Sequence, residues 1–194
     1  MFGSIASIDR AVFLAIHHFR NEVLDVVMPL LTNRWFWIPF YVLLAWIVYR
    51  LWGKAVVKIV LFIAVLILLS DQGANLFKNN VKRPRPCHNT EIAAEVITPV
   101  GCGGPFGFFS GHASNSFALA AFLTFLSYSD QNNRKYTSRF ALLFLWAGIV
   151  GWSRIYVGVH YPGDILAGAF FGTSLALLFV RMYRKYDAVV QFNK

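Results

Sequence analysis

The sequence predicts an all-α protein, an integral membrane helical bundle of five to six transmembrane helices with an amphipathic N-terminal helix. Three observations carry that expectation. Of the 194 residues, 57% are hydrophobic and only 14% are charged, with a mean hydropathy of +0.54. That balance suits a membrane protein better than a soluble domain. Five apolar runs approach the roughly 20 residues that a helix needs to cross a bilayer core. Most basic residues fall in short stretches between those runs, as topology signals do. The formal net charge of +9 raises nucleic acid as a partner. No basic stretch combines with a recognisable nucleic-acid module, so no such partner is expected.

The elements follow in chain order. The opening MFGSIASIDR lacks the basic start and apolar core of a signal peptide, so insertion is expected to rely on the spans themselves. Residues 7–32 are amphipathic, with His17, His18, Arg20, Glu22 and Asp25 in the middle. They read as an interfacial helix or a polar first span, with both histidines interfacial. The clear spans are 35–52, 55–77, 111–129, 138–157 and 162–181. Residues 78–110 form the one long connection, rich in Gly and Pro, and long connections of this kind are often functional. No internal repeat or low-complexity segment interrupts the chain, which reads as a single domain over 1–194.

Orientation follows from Lys and Arg. Arg50, Lys54, Lys58, Arg134, Lys135, Arg139, Arg181, Arg184, Lys185 and Lys194 fall on one side, read as cytoplasmic. The opposite side holds Arg34, Lys78, Lys82, Arg83, Arg85 and Arg154, most of them concentrated in one place. Three polar clusters share that outer side: KNNVKRPRP at 78–86, FSGHASNS at 109–116 and SRIYVGVHYPGD at 153–164.

In the first cluster, Asp71, Asn75 and Lys78 share one helix face. Polar residues near the end of a span usually face the bundle or a water-filled cavity, which aims Lys78 inward. Pro84 and Pro86 stiffen the exit around Arg85. Taken alone, these charges also fit snorkelling and stop-transfer signals. In the second cluster Ser110 is a natural N-cap, and Gly111 permits close backbone approach. The helix start that follows offers free N–H groups to an anion, with His112 at the opening. Small residues there fit tight helix packing as well, although packing leaves the histidine unexplained. In the third cluster Pro162 starts a helix and Asp164 falls in its first turn, within reach of His160. Such a pair sets the tautomer of the ring and frees its other nitrogen, but it is often only structural. Together, three fixed cations and backbone donors describe an oxyanion site, most simply for phosphate. Two histidines supply a nucleophile and an acid. The chain has no carboxylate cluster suited to magnesium and no ordered histidine–cysteine set for zinc, so no metal and no cofactor are expected.

At these residues the sequence resembles the type 2 phosphatidic acid phosphatase superfamily, and among its members looks most like small bacterial undecaprenyl diphosphate phosphatases. The family shows K-x6-R-P, P-S-G-H and S-R-x5-H-x3-D in that order. Here Lys78 and Arg85-Pro86, then Ser110-Gly111-His112, then Ser153-Arg154, His160 and Asp164 match in order and spacing. Phe109 stands where the family usually has proline, which changes a turn residue and no catalytic group. The motifs span 78–164, and the surrounding helix pattern fits as well.

The resemblance implies a metal-independent lipid phosphatase of the inner membrane of a bacterium, with its site facing the periplasm or the exterior. It implies that His160 attacks phosphorus to form a phosphohistidine, that Asp164 orients it, and that His112 protonates the leaving oxygen. Lys78, Arg85, Arg154, Ser110 and the Gly111 N–H would hold the phosphoryl oxygens. The substrate is a membrane lipid bearing phosphate or diphosphate, with undecaprenyl diphosphate cleaved to undecaprenyl phosphate as the first expectation. Phosphatidylglycerophosphate, phosphatidate, lipid A phosphates and transfer to another lipid remain open. The same cations would also serve a non-enzymatic headgroup binder, but simple binding needs no His160–Asp164 pair.

Cys87 and Cys102 both fall in the outer connection, where the compartment is oxidising, and a disulfide between them is expected. Phe106, Phe108 and Phe109 read either as an acyl-chain entrance or as ordinary interfacial aromatics. Gly168 and Gly172 read as helix-packing residues.

Overall fold

The computed structural model describes residues 2–192, which leaves Lys194 outside. Eight α-helices follow one another among the described residues: α1 (Phe2–His18), α2 (Glu22–Thr32), α3 (Ile38–Trp52), α4 (Val56–Val81), α5 (Gly111–Ser129), α6 (Thr137–Ala141), α7 (Leu143–Tyr156) and α8 (Pro162–Phe192). Residues Arg34–Val81 and Pro162–Asp187 are long and apolar enough to cross a membrane. Large apolar side chains such as Leu43, Trp46, Leu61, Leu68, Leu166 and Phe170 point outward from α3, α4 and α8. Outward apolar faces on long apolar helices make this a membrane bundle.

Local chemistry sets the boundaries. Residues 7–32 are not one span: the helix breaks at Phe19–Asn21, and the Asn21 side chain accepts from Leu24 N–H (2.9 Å) to start α2. Both pieces fall short of the roughly 20 residues that a crossing needs. Gly53, at φ 53°, turns the chain between α3 and α4. Lys82 adopts the left-handed conformation that closes α4, and Pro84 and Pro86 follow. The span expected at 138–157 is divided at Leu142 into α6 and α7, and α8 runs past 181.

α5 is the central helix and is buried nearly all round. Its small residues let neighbours approach closely. Ser114 Oγ lies 2.6 Å from Ser70 Oγ of α4. Across from it, a Cβ on Gly168 or Gly172 of α8 would overlap the α5 backbone at Ser110 and Ser114. The main core, which includes Leu66, Phe122, Leu123, Trp146, Val150 and Phe179, runs along the bundle and reaches the wall of the polar cavity at Trp146 and Val150.

α1 packs on the outer connection and on the α7–α8 turn. His17 is fully buried, not interfacial. Its Nδ1 donates to Tyr156 O (3.0 Å), and its Nε2 accepts from Ile97 N–H (2.9 Å). One neutral ring thus ties α1, the connection and α7 together. Burial, opposed by the Tyr156 carbonyl, holds its pKa below the ordinary value. Arg10 pairs with Glu91, and His18 lies 3.6 Å from Glu95. Cys87 and Cys102 are joined in a disulfide with a Cα–Cα distance of 6.0 Å.

Candidate active site

The end of α4, the start of α5 and the α7–α8 turn meet at one end of the bundle, with α2 and the outer connection beside them. They enclose a cavity of about 300 Å³ lined by Lys78, Arg85, Gly111, His112, Arg154 and His160, among others. The three polar clusters, far apart in sequence, therefore share one cavity. A wider space of about 450 Å³ adjoins it, sharing Thr32, Arg34, Arg85, His112 and Arg154 and walled by Gly101–Gly103.

Each side chain is placed by its element. Lys78 sits in the last turn of α4. Arg85 follows the Lys82 turn. Its backbone N–H donates to Pro105 O (3.0 Å) and its Nε to Phe106 O (3.2 Å), so one edge of the guanidinium is held while the group lines the cavity. Burial lowers its pKa below the usual arginine value against the pull of Asp164, and it stays charged. Arg154 ends α7 and donates from Nη1 to Thr32 Oγ1 of α2. Its Nε is buried with no protein partner, one of the donors that an anion in the cavity would meet.

Ser110 is fully buried and caps α5. Its Oγ accepts from Ala113 N–H (3.4 Å), and its own N–H donates to Asp164 O (3.0 Å). That second bond locks the start of α5 to the first turn of α8. His112 then lies in the first turn of α5, where free N–H groups favour negative charge. Phe109 does not line the cavity. It is buried against Phe77 and Phe171, with ring centroids 5.1 and 4.8 Å away, and anchors the turn where the sequence lacks proline. Neither Phe106 nor Phe108 reaches the cavity; the aromatics that do are Trp37, Tyr41 and Trp146.

His160 is 2% exposed and Asp164 is fully buried. Nδ1 of His160 lies 3.4 Å from Asp164 Oδ2, which also accepts from Tyr161 N–H (3.0 Å). Nε2 is left as the free nitrogen of a ring that lines the cavity. Burial lowers the pKa of His160 to about 4, against the opposing pull of Asp164. Its imidazole is therefore unprotonated at neutral pH, the state a nucleophile needs.

Sequence reasoning missed two groups. Arg83 donates to Asp164 Oδ1 (2.8 Å) from one nitrogen and pairs with Asp9 Oδ2 (2.6 Å) through another. The signal for Arg83 was its place two residues before Arg85 with Pro84 between. For Asp9 it was the only acid in the first twenty residues. Asn115, inside the second polar cluster, and Thr32, which had no signal in the sequence, also join the cavity wall. Cys87, His88 and Cys102 lie within 4.8 Å of one another. Both sulfurs belong to the disulfide, so that group offers no thiolate to a metal.

Residues 55–187 match the model of the PAP2 superfamily. Over 98% of its length the chain is 33% identical to a lipid A 4'-phosphatase of Bacteroides thetaiotaomicron, covering 84% of that protein. It is 29% identical to a lipid A 4'-phosphatase of Porphyromonas gingivalis over 92% of the chain and 74% of the relative. Two crystal structures share the fold. A PAP2-type phosphatidylglycerolphosphate phosphatase from Bacillus subtilis aligns with TM-score 0.70 and 23% identity, covering 94% of this chain and 87% of that one. Aquifex aeolicus LpxE aligns with TM-score 0.60 and 24% identity over 88% and 93%. The chain belongs to the PAP2 superfamily, and within it is a membrane lipid phosphatase.

Proposed function

From that membership we propose that the protein hydrolyses a phosphate monoester of a lipid at the outer surface of the inner membrane, through a phosphohistidine on His160 and without a metal. The observation that carries this reading is the convergence of the His160–Asp164 pair, His112, Lys78, Arg85, Arg154 and the α5 N-terminus on one cavity. Nε2 of His160 attacks phosphorus while the bond from phosphorus to the leaving oxygen breaks. His112 gives its proton to that oxygen, then takes one from the water that releases phosphate. The three cations and the Gly111 N–H stabilise the phosphoryl oxygens throughout, the main source of rate in phosphoryl transfer.

The substrate we favour is the 4'-phosphate of a lipid A-type glycolipid. Two near full-length relatives carry that name, and the adjoining 450 Å³ space gives room for a bulky polar headgroup. In this arrangement five spans, α3, α4, α5, α6–α7 and α8, cross the bilayer. α1, α2 and the break between them lie on the outer surface and turn Ile8, Phe19, Val23 and Val26 outward.

The test is phosphate release in detergent with EDTA from lipid A, undecaprenyl diphosphate, phosphatidylglycerophosphate and phosphatidate. We expect lipid A to be cleaved fastest, at the 4' position by mass spectrometry, and His160→Ala to be inactive. Faster cleavage of undecaprenyl diphosphate would return the assignment to the carrier lipid. Full activity in His160→Ala would overturn the mechanism.

A further inference from the structure

We propose that Asp9 and Arg83 are positioning residues of the catalytic turn: Arg83 fixes the Asp164 carboxylate, and Asp9 offsets the charge of Arg83 so that the charge of Asp164 remains available to His160. The inference rests on the reading of His160 as nucleophile and adds two residues outside the three polar motifs.

Asp164 is fully buried, and an ionised carboxylate there needs a paired cation. The neighbouring His160 is a neutral ring and cannot serve. Arg83 does, through Asp164 Oδ1 at 2.8 Å. Its guanidinium lies 4.2 Å from the centre of the Tyr161 ring, and Tyr161 Oη accepts from Asn89 Nδ2 at 3.0 Å. Arg83 is absent from the lining of the cavity that holds Lys78, Arg85 and Arg154. Its guanidinium is engaged by Asp164 and Asp9, so it acts on the carboxylate. With Oδ1 taken by Arg83 and Oδ2 facing His160 Nδ1 and Tyr161 N–H, the carboxylate has one orientation.

A single arginine on that carboxylate would cancel its charge. The ring of His160 becomes positive as the bond from Nε2 to phosphorus forms, and a neutral Arg83–Asp164 pair would do little to stabilise it. Asp9 changes the balance. Its Oδ2 meets Arg83 at 2.6 Å, and its Oδ1 accepts the N–H of Gly163 at 2.7 Å, in the first turn of α8. Asp9, Arg83 and Asp164 together keep one net negative charge beside the nucleophile. Gly163 leaves room for this contact, since a Cβ there would stand 2.7 Å from Asp9 Oδ2. The lone acid of α1 thus reaches the active site through one arginine.

The test uses the full-length protein in detergent with the fastest-cleaved lipid of the panel above. Rates are measured per mole of folded, monodisperse protein, matched between variants by Tm and size-exclusion profile. Arg83→Met is expected to lower kcat about 100-fold, the cost of a misplaced catalytic group, with little change in KM. Asp9→Asn keeps an acceptor for Gly163 and loses the charge, and should lower kcat about 10-fold. Arg83→Lys should recover part of the loss, and Asp9→Asn should add little in the Arg83→Met background. Wild-type kcat in folded Arg83→Met, a raised KM at unchanged kcat, or fully additive effects would each overturn the inference and leave the nucleophile assignment standing. An active His160→Ala control would overturn that assignment, and this inference with it.

Discussion

His160 occupies a two-sided position. Its ring is buried beside Asp164, yet it lines the cavity. Gly107 makes that closeness possible, since a Cβ there would lie 3.1 Å from Asp164 Oδ2 and 3.5 Å from His160 Nδ1. The same burial has a thermodynamic consequence. His160 titrates near 4 in the folded protein, against about 6.5 in an unfolded chain. Between those values the unfolded chain binds the additional proton. The stability that the neutral ring contributes is therefore complete above about pH 6.5 and is lost as the pH falls toward 4. The loss attributable to His160 over that window is about 3 kcal/mol, and His17, also held low by burial, adds in the same direction. Thermal unfolding in detergent between pH 7.5 and 4.5 should show a falling Tm, with a shallower fall in His160→Gln. Parallel curves for the two proteins would remove His160 from the account.

Among the elements, the 82–110 connection has no regular secondary structure beyond short 3-10 turns and a single antiparallel bridge between Pro84 and Phe106. Its order comes from cross-links. The disulfide closes residues 87–102, His17 holds Ile97, and Val96 and Ile97 press on Gly158 so closely that no side chain fits there. Gly158 also has a φ of 79°, which glycine adopts without strain. Through these contacts the connection steadies the turn that carries His160 and walls the outer part of the site. Opening a bridge with this spacing costs about 3 kcal/mol in the chain-entropy account. The Cys87→Ala/Cys102→Ala double variant should unfold at a lower temperature, and dithiothreitol should lower the Tm of the wild type but leave the variant unmoved. A wild-type Tm indifferent to reductant would mean that the bridge contributes nothing.

For the whole molecule, charge and apolar surface together are the basis of the proposed orientation. Basic residues at Arg50, Lys54, Arg134, Lys135 and Arg139 gather at the end of the bundle away from the cavity. There Lys58 pairs with Asp187 at 2.5 Å and Trp52 donates to Asp130 at 2.8 Å. In the orientation we propose, by the positive-inside rule, that end faces the cytoplasm and the cavity faces outside. A membrane-impermeant maleimide applied to intact spheroplasts should label Thr90→Cys and spare Asn132→Cys until the membrane is broken. The reverse pattern would invert the topology.

Most of the long apolar helices were legible because crossing a bilayer imposes a length and an apolar composition on each one. The motif residues were legible because proline, glycine and helix-capping residues fix where neighbouring charges point. Residues 19–21 were not, since a helix break beside amphipathic sequence depends on what each half packs against. His17 was not, because an imidazole carries no mark in sequence of whether its two nitrogens will meet water or Tyr156 O and Ile97 N–H. By itself the sequence determined most of the long helices, and it singled out Lys78, Arg85, Ser110, His112, Arg154, His160 and Asp164 as candidates that the structure gathers at one end of the bundle. Only the tertiary structure decided that Arg83 faces Asp164 while Arg85 faces the cavity, and that Asp9 completes the pairing from a helix more than 70 residues away in the chain. The reason is physical: hydrophobic length and helix capping act locally along a chain, whereas the partner of a buried charge is chosen by whichever segments the packed bundle brings to it.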